Sequence, residues 1–175
     1  MTLSVGLFLI GILGLSCLST SIFKQQNQAL AQQYIQTIKY RNLVIDLGNG
    51  VKTNAQLTLP ALGKGPFPGV LLVPGSGATD MNEHVGKNTA PFLQISQYLS
   101  ERGFAVLRYD KRGVGANGTI LDSNVWGNTT FTNLKQDAEK ALAVLIKQPE
   151  VDRSKITIIG HSEGTMIAPR VAIEN

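Results

Sequence analysis

Two short runs, Val70-Leu71-Leu72-Val73 and Ile156-Thr157-Ile158-Ile159, restrict the possible folds more than any other feature of the sequence. Successive residues of a strand point to opposite faces, so strands this apolar must be covered on both sides, as in the parallel sheet of an α/β protein. The surrounding segments fit that architecture. Residues 92–102 and 132–148 carry helical periodicity and residues 104–109 form a third short apolar run, so the order from Gly69 onward is β-α-β-α-β. In the second helical segment Leu134, Ala138, Ala141, Leu142 and Leu145 recur on one face. Pro149 stops that helix because it has no amide hydrogen, and Gly103 closes the earlier one.

Upstream, residues 42–47 and 51–59 read as two strands joined through Gly48-Asn49-Gly50, residues that accept positive φ, so a hairpin with both strands at the sheet edge is expected. Val51, Thr53, Ala55, Leu57 and Leu59 alternate with polar neighbours, the pattern of a strand covered on one face. Gly63, Gly65 and Pro66 make residues 60–68 a connecting loop. A chain of 175 residues is long enough for one such core. Its composition, 43% hydrophobic and 16% charged, is that of a globular protein and not of a disordered tail. The net charge of +4 is spread over single residues such as Lys52, Lys64 and Lys87, without a basic run or a nucleic-acid motif. No nucleic-acid partner is therefore expected.

No charged side chain precedes Lys24, and residues 5–18 at the centre of that stretch are apolar. Such a segment enters a membrane or is removed. Ala29-Leu30-Ala31 offers small residues at the two positions that a signal peptidase reads. This divides the chain into an export signal, residues 1–31, and a mature domain, residues 32–175, located in a bacterial periplasm or outside the cell. The alternative is an uncleaved anchor over residues 3–23, which is about the length that spans a bilayer; a membrane would be met only through that segment. Cys17 is the single cysteine, so cleavage would leave a chain with neither a disulfide nor a thiol nucleophile.

Gly160-His161-Ser162-Glu163-Gly164 follows the run ending at Ile159 and precedes a helical stretch, residues 166–173. A strand-turn-helix bend of this kind strains the serine backbone, lifts the hydroxyl above the sheet and needs glycine on either side. Ser162 is the candidate nucleophile, with Gly160 and Gly164 as the residues that let the bend form. Open parallel sheets place reactive groups at this end of their strands. Pro74-Gly75-Ser76-Gly77 directly follows Val73 at the same end. Acyl transfer builds negative charge on a carbonyl oxygen, and fixed backbone amides stabilise it without reorganising. Gly75 and Gly77 would expose such amides, and the N–H groups of Ser76 and Glu163 are the candidate donors. A flexible connecting loop or a phosphate cradle is the other reading of that turn, although neither G-x-x-x-x-G-K-S/T nor G-x-G-x-x-G occurs.

Taken with Asp80, Glu83, Gly86, Asn88 and Pro91, with Arg108-Tyr109-Asp110-Lys111-Arg112-Gly113 and with Val151-Asp152, these motifs resemble bacterial α/β-hydrolases of the esterase, acyl-hydrolase and dienelactone-hydrolase-like kind. The resemblance spans about residues 40–173. It implies an α/β-hydrolase fold: a mostly parallel sheet with helices on both faces and the elbow after the fifth strand. It also implies a serine hydrolase of carboxylic esters or related acyl compounds, with a small-molecule substrate, an acyl-serine intermediate and no metal or organic cofactor. Pro74 stands where many members have histidine, a change that touches loop packing more than the backbone donors. A serine peptidase of the same fold and a non-catalytic exported module are the alternatives.

Members of this fold present their triad in the order Ser, Asp or Glu, His. The 13 residues after Ser162 contain no aspartate or histidine, and past the elbow Glu174 is the sole carboxylate. The expectation is a domain truncated after the elbow and its helix, lacking the triad acid and base, nearly inactive alone, with an exposed apolar edge on the strand at 156–159. Glu174 reads as a surface charge and His84 as a loop residue. His161 should turn aside from the serine and bond or pack locally. Glu163 suits a helix start, and Asp110 with Arg112 is expected to form an ion pair that orders the loop they share.

Overall fold

Among the described residues, five strands form one mixed sheet in the order β1-β2-β4-β3-β5. They are β1 (Ile38–Gly48), β2 (Val51–Pro60), β3 (Phe67–Val73), β4 (Ala105–Tyr109) and β5 (Val151–Gly160). The helices are α1 (Pro91–Ser100), the short α2 (Ser123–Gly127), α3 (Phe131–Ile146) and α4 (Gly164–Glu174). The computed structural model describes residues 37–86 and 88–175. The expected export signal or anchor and Cys17 lie outside the described residues. No helix among the described residues is long and apolar enough to cross a membrane.

The parallel part of the sheet is β4, β3 and β5. The β1–β2 hairpin turns through Asn49 and Gly50 at φ of +53° and +77°, and it joins antiparallel through β2 and β4. Only β1 of that hairpin therefore lies at the edge. β2 is interior, and its alternation gives way to continuous burial over Leu57, Thr58 and Leu59, with α1 packed against the strand.

Every residue of β4, and of β3 from Gly69 on, is buried. The side-chain alternation of these strands divides the core in two. Leu71, Val73, Ala105 and Leu107 face Leu134, Ala138, Ala141 and Leu145 of α3 with Ile167 and Val171 of α4. On the other face Val70, Leu72 and Val106 pack on Phe92, Ile95 and Leu99 of α1. Helices on both faces are what the two apolar runs required. The exception is β5, whose Ile156, Ile158 and Ile159 are only half-buried and whose Thr157 is exposed. Among the described residues it pairs with β3 alone, so the strand expected to be covered on both faces stands at the rim.

α3 begins at a capping box in which Thr130 and Asn133 satisfy each other's amides. Its apolar stripe matches the sequence pattern, with one addition: Asp137 is buried in the same face, 2% exposed. The carboxylate is there because Arg112, in the loop after β4, donates to it from Nε at 2.7 Å and from a terminal nitrogen at 2.5 Å. Arg112 thus pairs with α3 and not with Asp110. Asp110 instead accepts from the Met81 amide at 2.7 Å.

Removing one member of a buried pair strands the other charge. Asp137→Ala should lower the unfolding free energy by about 3 kcal/mol, measured by urea denaturation. An unchanged midpoint would show that solvent at the 12% exposed Arg112 side chain compensates for the loss.

Candidate active site

The junction between β5 and α4 is a tight bend. The His161 amide donates to the Val73 carbonyl at 3.1 Å, which extends the β3–β5 contact past the strand ends. Ser162 then takes φ of +49°, Glu163 returns to helical angles, and the Gly164 amide closes the turn on the His161 carbonyl at 2.7 Å. Positive φ in a residue with a side chain costs on the order of 1 kcal/mol or more. Packing holds it in place. A Cβ on Gly160 would lie 2.1 Å from the Gly164 carbonyl oxygen, and one on Gly164 would lie 2.3 Å from the Val73 oxygen. Both glycines are therefore needed because backbones meet there. Ser162 is exposed at the C-terminal end of the parallel strands.

The loop after β3 lies against this bend. Pro74 and Gly75 are buried, while Ser76 and Gly77 face solvent. A Cβ built on Gly75 would come within 3.2 Å of the Ser162 Cβ and 3.0 Å of the His161 Nδ1, so a side chain there would crowd the elbow. Gly77 has φ of +93° with open space around it, so its need is conformational. Among the described residues, the amides of Ser76 and Glu163 are bonded to no acceptor. The two motifs, far apart in sequence, are side by side.

Charged side chains surround the contact. Glu83 is 3% exposed; its Oε1 accepts from the Gly75 amide at 2.5 Å, and its Oε2 lies 2.9 Å from the His161 Nδ1. Lys111 is 4% exposed and donates to the Gly75 carbonyl at 3.0 Å and to Glu163 Oε2 at 2.8 Å. Its ammonium also lies 5.5 Å from the centre of the Trp126 ring. His161 thus turns aside, as expected. Glu163 holds a lysine besides opening the helix. His84 lies in the loop with its Nδ1 2.6 Å from Asp80 Oδ2, and Glu174 bonds Lys135 at the surface.

Behind the loop, Asp80 is 2% exposed and accepts from the amides of Asn82, His84 and Asn117. Burial pushes its carboxyl up, but the bonds from the His84 ring and from the backbone outweigh that and hold it below the ordinary value. Asp110 is shifted upward: burial dominates over the bonds from Met81 and Asn54, and the nearby Asp80 adds to it. Arg108 is wholly buried, and burial lowers it to about 10 against the pull of Tyr40, Asp80 and Asp110. Its guanidinium reaches Asn82 and Gln56.

Among the described residues no group of three or more His, Cys, Asp or Glu side chains is gathered to hold a metal ion. A cavity of about 370 Å³ lined by Asn42, Val44, Asn54, Asp80, Met81 and Asp110 lies behind the loop and does not include Ser162.

Residues 71–175 match the family described as serine aminopeptidase, S33. Esterase EstD of Thermotoga maritima is 42% identical over 118 residues, covering 67% of this chain and 26% of that protein. Esterase FrsA of Yersinia enterocolitica is 26% identical over 131 residues, 75% of this chain and 28% of that protein. The chain thus spans little more than a quarter of these two relatives. Among solved structures, a dienelactone hydrolase-like promiscuous phosphotriesterase from metagenomic libraries superposes with a TM-score of 0.58 at 25% identity, over 78% of this chain and 54% of that one. Brefeldin A esterase, a bacterial homologue of human hormone sensitive lipase, gives 0.58 at 17% identity, over 79% and 36%.

Gly164→Ala should disrupt the bend, with a loss of more than about 3 kcal/mol in chemical denaturation, because its new methyl meets a strand carbonyl. A variant as stable as the parent would mean that the β3–α4 approach relaxes freely. The two buried aspartates should respond to pH in opposite senses. Asp80, depressed in the fold, contributes stability that is complete above the ordinary aspartate value of about 3.9 and is lost as pH falls through its folded value. Asp110, raised, favours the fold when protonated and loses that contribution as pH rises through its folded value. Melting temperature against pH should therefore lose part of its acid limb in Asp80→Asn. In Asp110→Asn the neutral-pH melting temperature should hold or rise, and a fall there would contradict the assignment.

Proposed function

Because the chain belongs to the serine aminopeptidase S33 family of α/β-hydrolases, we propose that it hydrolyses carboxylic esters or related small acyl compounds through an acyl intermediate on Ser162. The observation that carries this reading is the exposed serine held at positive φ beside two unbonded amides. The Ser162 Oγ forms the new bond to the acyl carbon as its proton passes to an imidazole base. The carbonyl oxygen becomes an oxyanion that accepts from the Ser76 and Glu163 amides. Collapse expels the alcohol with that proton, and water then repeats the sequence to release the acid.

Neither described histidine is assigned as the base. His84 is engaged with Asp80, and His161 is drawn by Glu83 to the flank of the elbow. The imidazole and its acid partner are proposed to come from outside the described residues, and without them the serine stays protonated and a poor nucleophile. The esterase relatives support an ester substrate. The family description supports a second reading, cleavage of an aminoacyl amide by the same serine. Neither reading asks for a metal or organic cofactor. The apolar N-terminal stretch supports export, by a cleaved signal or with residues 3–23 as an anchor.

A fluorophosphonate probe should label the full-length protein at one site, and Ser162→Ala should abolish the label. The same substitution should reduce turnover of p-nitrophenyl acetate by at least about 10⁴-fold. Faster turnover of an aminoacyl p-nitroanilide would move the assignment to the amide reading. Labelling that survives Ser162→Ala, or a parent that never labels, would remove Ser162 as the nucleophile.

A further inference from the structure

We propose that Lys111 and Glu83 are positioning residues that fix the Gly75–Ser76 peptide, and through it the direction of the Ser76 amide toward the oxyanion. The inference rests on the acyl-transfer reading and adds two side chains that never touch the substrate.

The argument starts from peptide geometry. In a trans peptide the carbonyl of one residue and the amide hydrogen of the next point in opposite directions. Lys111 holds the Gly75 carbonyl, and this turns the Ser76 N–H away from Lys111. Glu83 holds the other end of the same residue, accepting from the Gly75 amide. Glycine would otherwise be the most mobile point of the loop. The Glu163 amide is fixed by the same geometry: the carbonyl of Ser162, its peptide partner, accepts from the Thr165 amide at 2.9 Å and the Thr165 hydroxyl at 2.6 Å.

Both clamps reach a neighbour of the candidate nucleophile as well. Lys111 bonds Glu163, and Glu83 lies against His161, so each charge ties the Gly75 backbone to one side of Ser162. The pairs are nearly buried on the Lys111 and Glu83 sides, where such bonds are strong and their loss is costly. An ammonium on the Gly75 carbonyl also polarises that peptide, making the Ser76 N–H a better donor.

The test compares the parent, Lys111→Met, Glu83→Gln and the double variant Lys111→Met/Glu163→Gln in the full-length protein. Melting temperature, kcat and KM for p-nitrophenyl acetate and the Ser76 amide resonance are followed. Losing a correctly aimed donor reduces kcat more than it weakens binding, so Lys111→Met should lower kcat about 10- to 100-fold with KM changed less than about threefold. The double variant no longer buries an unpaired Glu163 charge. It should regain melting temperature while kcat stays low, and the Ser76 amide resonance should be shifted in both. Glu83→Gln keeps an acceptor for the Gly75 amide and should retain more activity than Lys111→Met.

Recovery of kcat in the double variant would overturn the inference, because Lys111 would then serve only to neutralise Glu163. So would Lys111→Met with the parent's kcat. If the parent neither labels nor turns over ester, the acyl-transfer reading has failed. The clamp is then judged by the Ser76 resonance, and an unmoved signal in Lys111→Met rejects it.

Discussion

At the crossing of Gly164 over the end of β3, a single added methyl would lie 2.3 Å from the Val73 oxygen. That approach decides where α4 begins and how steeply it leaves the sheet. It leaves the preceding residues one path, through His161 bonded to Val73 and Ser162 at positive φ. The strain at Ser162 is small beside the apolar burial of Ile167 and Val171 on α4, each worth on the order of 1.5 to 3 kcal/mol. Core packing on one face of the sheet thus maintains an unfavourable backbone angle at its edge.

The loop after β4 distributes this rigidity. Its three successive charged residues each bind a different part of the molecule. Asp110 accepts from the Met81 amide, Lys111 donates to Gly75 and Glu163, and Arg112 pairs with Asp137 on α3. The Lys111 and Arg112 bonds are charge-assisted at buried or half-buried positions, so they are stronger than neutral ones and directional. The loop from β3 is thereby held by Asp110 at the Met81 amide, by Lys111 at the Gly75 carbonyl and by Glu83 at the Gly75 amide.

The architecture was largely legible because it follows from alternation and period. Val70 to Val73 could be satisfied only between helical layers, and Leu134, Ala138, Ala141, Leu142 and Leu145 named the buried face of α3. The elbow glycines were legible too, since their role is steric and local. What escaped were pairings between distant residues. Nothing in the sequence spacing says that Arg112 reaches Asp137 and not Asp110, or that Glu83 and Lys111 share Gly75. Such bonds depend on the register of elements that meet only after folding. The interior place of β2 was missed because period 2 reports which face is covered and is silent on which edge is paired. The five-residue α2 is too short to show any period, and its start is set by Asp122 accepting from Asn124 and Val125.

Charge at the site is balanced at short range, with Lys111 against Glu163 and, one residue on, Arg112 against Asp137. Beside these pairs the Glu83 carboxylate lies against His161, and fixed backbone dipoles add to the potential at Ser162. The N-terminal end of α4 lies at the elbow, a disposition that favours negative charge there, and the Ser76 and Glu163 amides are bonded to no acceptor among the described residues. Dipoles held by packing need no counter-ion rearrangement when charge appears. A site built this way should respond weakly to ionic strength, since screening acts on separated exposed charges and not on amides a hydrogen bond away.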